Sequence, residues 1–73
     1  MRRITDKQLN YLMSLLGYKP WMTHTDPVRK AITAEVDGMM ASNMISELST
    51  GHSEAGVVSQ LKHLGVPLED LYP

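Results

Sequence analysis

The chain has 73 residues, no cysteine and a formal net charge of −1. That length suits one domain near the lower limit for a chain held by its own core, and the missing cysteine excludes a disulfide framework and thiolate metal sites. No apolar run approaches the roughly 18 residues of a membrane span, and Arg2 and Arg3 do not lead into the apolar stretch of a signal peptide, so the expected setting is the cytoplasm, with no membrane partner.

The first predicted element opens on Ile4-Thr5-Asp6-Lys7-Gln8-Leu9. Thr5 stands as N-cap and Gln8 three residues on can reach back to it, which makes a capping box. Ile4 and Leu9 occupy the two staple positions. Asp6 in the first turn complements the helix dipole. Leu9, Leu12, Met13 and Leu16 repeat at helical spacing, so a helix over about 6–16 is predicted. Gly17 follows as a C′ residue, with Tyr18 placed to fold back on Met13. Residues 18–26 read as a connection, since Pro20 disfavours helix at Lys19 and Thr-His-Thr-Asp is loop-forming.

Asp26-Pro27 predicts a second start, an N-cap followed by proline at the first helical position. This helix should bury Val28, Ala31 and Ile32. Asp37 reads as a third N-cap, with Val36 and Ala41 in staple positions, and a helix from Gly38 to about Ser49 should bury Ala41, Met44, Ile45 and Leu48. A single helix from Pro27 to Ser49 is the alternative, since an interior glycine costs only about 1 kcal/mol relative to alanine. Ser53 is the expected cap of a fourth helix, about Glu54–Leu64, with Val57, Val58, Leu61 and Leu64 inward and Gly65 at its end. Leu68, Leu71 and Tyr72 should close over the core in a final turn. No segment alternates long enough for a strand. The expected fold is all-α: residues 1–73 as one small bundle of three to four short helices. Its core list is Leu9, Leu12, Met13, Leu16, Ile32, Met44, Ile45, Leu48, Val58, Leu61 and Leu64.

Site chemistry is sparse. His24, His52 and His63 have no metal-ligand spacing, the serines sit in no nucleophile elbow, and no glycine-rich phosphate loop exists. No enzyme, metal or cofactor is expected. Charge is uneven along the chain. Residues 1–36 carry six basic side chains against three acidic ones, a net +3, and residues 37–73 carry one against five, a net −4. The bland account is a fluctuation over solvated faces, and the sharper one is a partner preference.

Tyr18-Lys19-Pro20-Trp21 interleaves two aromatics with a cation, a pattern able to stack unpaired bases while the lysine meets phosphate. The candidate nucleic-acid contacts are therefore Arg2, Arg3, Lys7, Tyr18, Lys19, Trp21, Arg29 and Lys30. For Trp21 the core is the first expectation, because it is the only tryptophan in a chain without phenylalanine. Met39-Met40 reads either as core or as an adaptable exposed patch.

Two stretches resemble one family. Thr5-Asp6-Lys7-Gln8 with Tyr11-Leu12 and Leu15, then Val36-Asp37 with Ala41-Ser42, Met44-Ile45 and Leu48, resemble small helical modules of phage and bacterial DNA-metabolism proteins. Such modules occur alone, as beside a helicase of T-even phages, or appended to single-strand annealing and related recombination proteins. The resemblance spans about 45 residues, to Leu48. The chain departs from the pattern at Asp37, where Ser or Thr is usual, at Gly38 and Met40, where a basic and an acidic residue are usual, and in its longer connection.

The resemblance implies an accessory role in DNA recombination, repair or replication, in the host cytoplasm if the chain is phage-encoded. Its partners would be single-stranded DNA, or a helicase or recombination protein. It carries over no catalytic residue. The alternative is a protein-interaction module with no nucleic-acid contact, for which Leu15-Leu16-Gly17-Tyr18 offers a looser likeness to the apolar-Gly-aromatic loop of ubiquitin-associated domains.

Overall fold

The computed structural model describes residues 2–51 and 54–73. Four helices follow in chain order: α1 (Asp6–Leu16), α2 (Asp26–Glu35), α3 (Gly38–Ser49) and α4 (Glu54–His63). No strand forms among the described residues, so the architecture is an all-α bundle. α1 packs most extensively on α3, and α2 lies against α1 while α4 lies against α3.

The opening motif forms as the sequence predicts. Thr5 is extended, its hydroxyl accepts the Gln8 N–H at 3.1 Å, and the Gln8 side chain accepts the Thr5 N–H at 3.0 Å. Two orphan donors are thereby satisfied. Ile4 and Leu9 are buried in the same cluster. At the other end Gly17 takes φ +110°, which lets the Tyr18 N–H bond back to the Met13 carbonyl at 3.0 Å. Only glycine adopts that conformation without strain.

The start of α2 differs by one residue. The Thr25 carbonyl accepts the Arg29 N–H at 3.0 Å, so Thr25 is the cap position and Asp26 and Pro27 are already helical. Thr25 makes no side-chain cap bond; Asp26 contributes through the helix dipole instead of as a capping acceptor.

Two helices, not one, span 27–49. Val36 and Asp37 are both extended, and the Asp37 carboxylate caps α3 by accepting the Met40 N–H at 2.9 Å. Val36 and Ala41 are buried as a staple should be. The extended pair meets the N-terminal segment. Arg3 and Asp37 form an isolated antiparallel bridge, and the Gly38 N–H donates to the Arg2 carbonyl at 2.9 Å. A Cβ at Gly38 would stand 3.4 Å from the Arg3 carbonyl, a close but ordinary contact. The Gln8 Nε2 also donates to the Gly38 carbonyl at 3.1 Å, tying the starts of α1 and α3 together.

Ser53, the expected cap of α4, lies outside the described residues. The helix ends at His63, one residue short of Leu64. Gly65 at φ +94° then returns the Val66 N–H to the Leu61 carbonyl. Leu68 carries the final turn, its carbonyl accepting from both Leu71 and Tyr72. Its side chain has no exposed surface, like those of Leu12, Ile32 and Leu61. Each such side chain contributes about 1.5–3 kcal/mol of burial. The C-terminal turn thus adds Val66 and Leu68 to the core, with Leu71 and Tyr72 packed against it.

Three expected core residues, Ile45, Leu48 and Leu64, are only half-buried. Ala41 and Met44 take the centre of the α3 stripe, which puts Ile45 and Leu48 on its rim. The larger correction is Trp21. It is 76 % exposed, and Tyr18, at 5 %, is the aromatic packed into the core. The Met39-Met40 pair divides: Met39 is exposed and Met40 packs against the core.

Candidate nucleic-acid interface

The bridge between Arg3 and Asp37 has a consequence for charge. It lays the N-terminal segment beside the end of α2, and one surface groove is lined by Arg2, Arg3, Arg29, Lys30, Thr33, Glu35, Val36, Asp37 and Met40 among others. Four cations from segments more than twenty residues apart meet two carboxylates there. One of the two, Asp37, already spends an oxygen on the α3 cap. The apolar floor is Val36 and Met40, and Arg2, Arg3, Glu35 and Lys30 are exposed around it.

Arg29 is the best-placed of the four. Its guanidinium donates to the Asn10 side chain across the α1–α2 interface, which limits the rotamer freedom it would otherwise lose on binding a ligand. Arg29 also lines a neighbouring groove with Asn10, Met13, Tyr18, Lys19 and Thr25. Lys19 thus joins the cationic surface through Arg29, without entering the first groove. Lys7 lines neither groove.

The two aromatics separate. Tyr18 is buried and its hydroxyl donates to the Asp70 carboxylate at 2.9 Å, so its ring offers no free face for a base. That overturns its expected role in stacking. Burial, and then the bond to Asp70, hold the Tyr18 hydroxyl well above the ordinary tyrosine range. Trp21 keeps most of its surface exposed, as stacking requires. It stands in the 18–25 connection, where His24 is held at φ +66°, a left-handed conformation uncommon for a residue with a side chain.

Asn10 was missed in the sequence because nothing local marks it; it matters only once α2 lies against α1. In the sequence Asp37 reads as a cap and Met40 as core or patch, and the place of both in lining the groove follows from the extended 36–37 pair.

Among the described residues, no group of three or more His, Cys, Asp or Glu gathers to hold a metal ion. No helix there is long and apolar enough to cross a membrane. No family model, curated protein or solved structure matches the chain.

Proposed function

We propose that the protein is a phage-type accessory module of DNA recombination, repair or replication, and that it binds single-stranded nucleic acid at the groove formed by Arg2, Arg3, Arg29 and Lys30. The observation that carries this reading is the convergence of those four cations from the N-terminal segment and α2 on one apolar-floored groove. Trp21, exposed in the connection that leads into α2, supplies a stacking face of the kind that favours unpaired bases over duplex. With at most four phosphates met, binding is weak, and the affinity falls with salt at a slope of about −3 on logarithmic axes, from roughly −0.7 per phosphate on single strands.

The test is an NMR titration with a short oligothymidylate at low salt. Shifts confined to Arg2, Arg3, Arg29, Lys30 and the Trp21 indole are expected. No shift anywhere refutes direct binding.

A second reading, a protein-interaction module, is favoured by the exposure of Met39 at 76 %. Met39 lies beside Ser42 and Asn43 on an adjoining groove that shares Arg2 and Arg3 with the first. On that reading a helicase or recombination protein would occupy the Met39 surface, and Met39→Lys would abolish its binding while the oligonucleotide-induced shift of the Trp21 indole persists.

A further inference from the structure

The second half of the chain has five carboxylates and a single cation, Lys62. Lys62 is half-buried, and its ammonium donates to the Tyr72 carbonyl. The outer surface of α4 and the C-terminal turn is thereby left to Glu54, Glu69 and Asp70, all exposed. Asp70 and the turn that carries it are held in place. The Tyr18 hydroxyl fixes Asp70, and the Tyr72 hydroxyl donates to the Leu16 carbonyl at 2.7 Å, which pins the turn to the end of α1. The last turn of α1 has no basic residue, so the negative end of its dipole adds to the same region.

Arg2 and Arg3 of the basic groove lie at the other end of α1, while Arg29 borders Asn10 and Tyr18 nearer the acidic end. Arg3 pairs beside the Asp37 cap, and the Gln8 side chain in the first turn of α1 reaches Gly38. An 11-residue helix, about 16 Å along its axis, lies between the Arg2–Arg3 segment and the acidic end. That exceeds the Debye length of about 10 Å at 0.1 M salt, where screening weakens their attraction within a molecule. A net charge of −1 leaves little overall repulsion between copies.

We propose that the Glu54–Glu69–Asp70 end of one molecule docks on the Arg2–Arg3–Arg29–Lys30 groove of a second copy. The contact is head-to-tail and uses different surfaces on the two partners, so it can propagate beyond a dimer. Its strength comes from charge complementarity and falls with salt. It does not depend on nucleic-acid binding. If the function proposed above also holds, the acidic end of a neighbour occupies the groove until a strand displaces it.

Sedimentation velocity tests this on the full chain. At low ionic strength the weight-average sedimentation coefficient rises with protein concentration. Near 1 M salt, where the Debye length is about 3 Å, it returns to the monomer value. Two charge-reversed proteins sharpen the test: Arg3→Glu with Lys30→Glu, and Glu54→Lys with Glu69→Lys. All four positions are exposed, and matching thermal midpoints confirm folding. Each protein alone is monomeric, and an equimolar mixture associates, the unaltered acidic end of one meeting the unaltered groove of the other and the two reversed surfaces matching in turn. A wild-type chain that stays monomeric at low salt, or a mixture that does not associate, overturns the proposal. Oligothymidylate added to the wild-type assembly separates the two ideas: dissolution supports both, and persistence refutes nucleic-acid binding at this groove while leaving the self-contact standing.

Discussion

Gln8→Ala is the substitution that most directly probes how the bundle is assembled. One side chain makes two bonds of different kinds. Its Oε1 accepts the Thr5 N–H at 3.0 Å, within the capping box, and its Nε2 donates to the Gly38 carbonyl at 3.1 Å, across to α3. A neutral intramolecular hydrogen bond contributes about 0.5–1.5 kcal/mol net. The Thr5 bond is exposed and water can replace it, which puts it at the low end. The Gly38 bond is partly buried and belongs at the high end.

The expected cost of Gln8→Ala is therefore about 2 kcal/mol. Thr5→Ala removes only the local acceptor for the Gln8 N–H, and should cost about 1 kcal/mol. Against a total of roughly 4–11 kcal/mol for a chain of this length, both are measurable. Urea denaturation followed by far-UV circular dichroism gives the midpoints, and the double variant completes the cycle. The two losses should be less than additive, because each single substitution already opens the box. If Gln8→Ala costs no more than Thr5→Ala, the bond to Gly38 contributes nothing and the proposed link between the two helix starts is wrong.

Tyr72→Phe should cost about 1 kcal/mol by removing the bond to the Leu16 carbonyl, seen as a thermal midpoint lower by roughly 4–8 °C. Leu68→Ala should cost about 2–5 kcal/mol, as for any fully buried leucine, and a wild-type midpoint in that variant would show that the C-terminal turn is not core. Stability should fall as pH rises above the ordinary tyrosine value of 10.0, because the unfolded chain then releases the Tyr18 proton while the folded chain, with its hydroxyl pushed upward by burial and Asp70, retains it. Below that pH the contribution is complete, and Tyr18→Phe should flatten the alkaline loss in a denaturation series. Arg29→Ala should reduce the salt slope of oligonucleotide binding by about 0.7, one phosphate's worth, and an unchanged slope would remove Arg29 from the interface.

What could be read in advance was local. The capping box at Thr5, the Asp37 cap and the glycines at 17 and 65 depend on residues three or four apart, and each formed where its motif stands. The position of Trp21 depends on which aromatic reaches the core first. Tyr18 follows directly on the Gly17 turn, so the chain folds it inward, and the connection then carries Trp21 past the core. Composition alone pointed to the rarer and larger side chain. The groove was half legible. All four of its cations stand out as basic residues in the first half, but their meeting depends on the return of Val36 and Asp37 beside Arg2 and Arg3. That pairing is a contact between segments over thirty residues apart, and no periodicity announces it. Lys7 shares their charge but sits on the wrong face of α1 to join them.

The exposure of Trp21 also decides how this molecule can be watched. A lone indole already bathed in water emits much as it would from an unfolded chain, so intrinsic fluorescence will under-report unfolding and can mimic a protein without a cooperative transition. The same indole is free to be quenched or shifted by whatever settles against it. The chain thus carries a built-in optical reporter that is nearly silent about folding and sensitive to encounter.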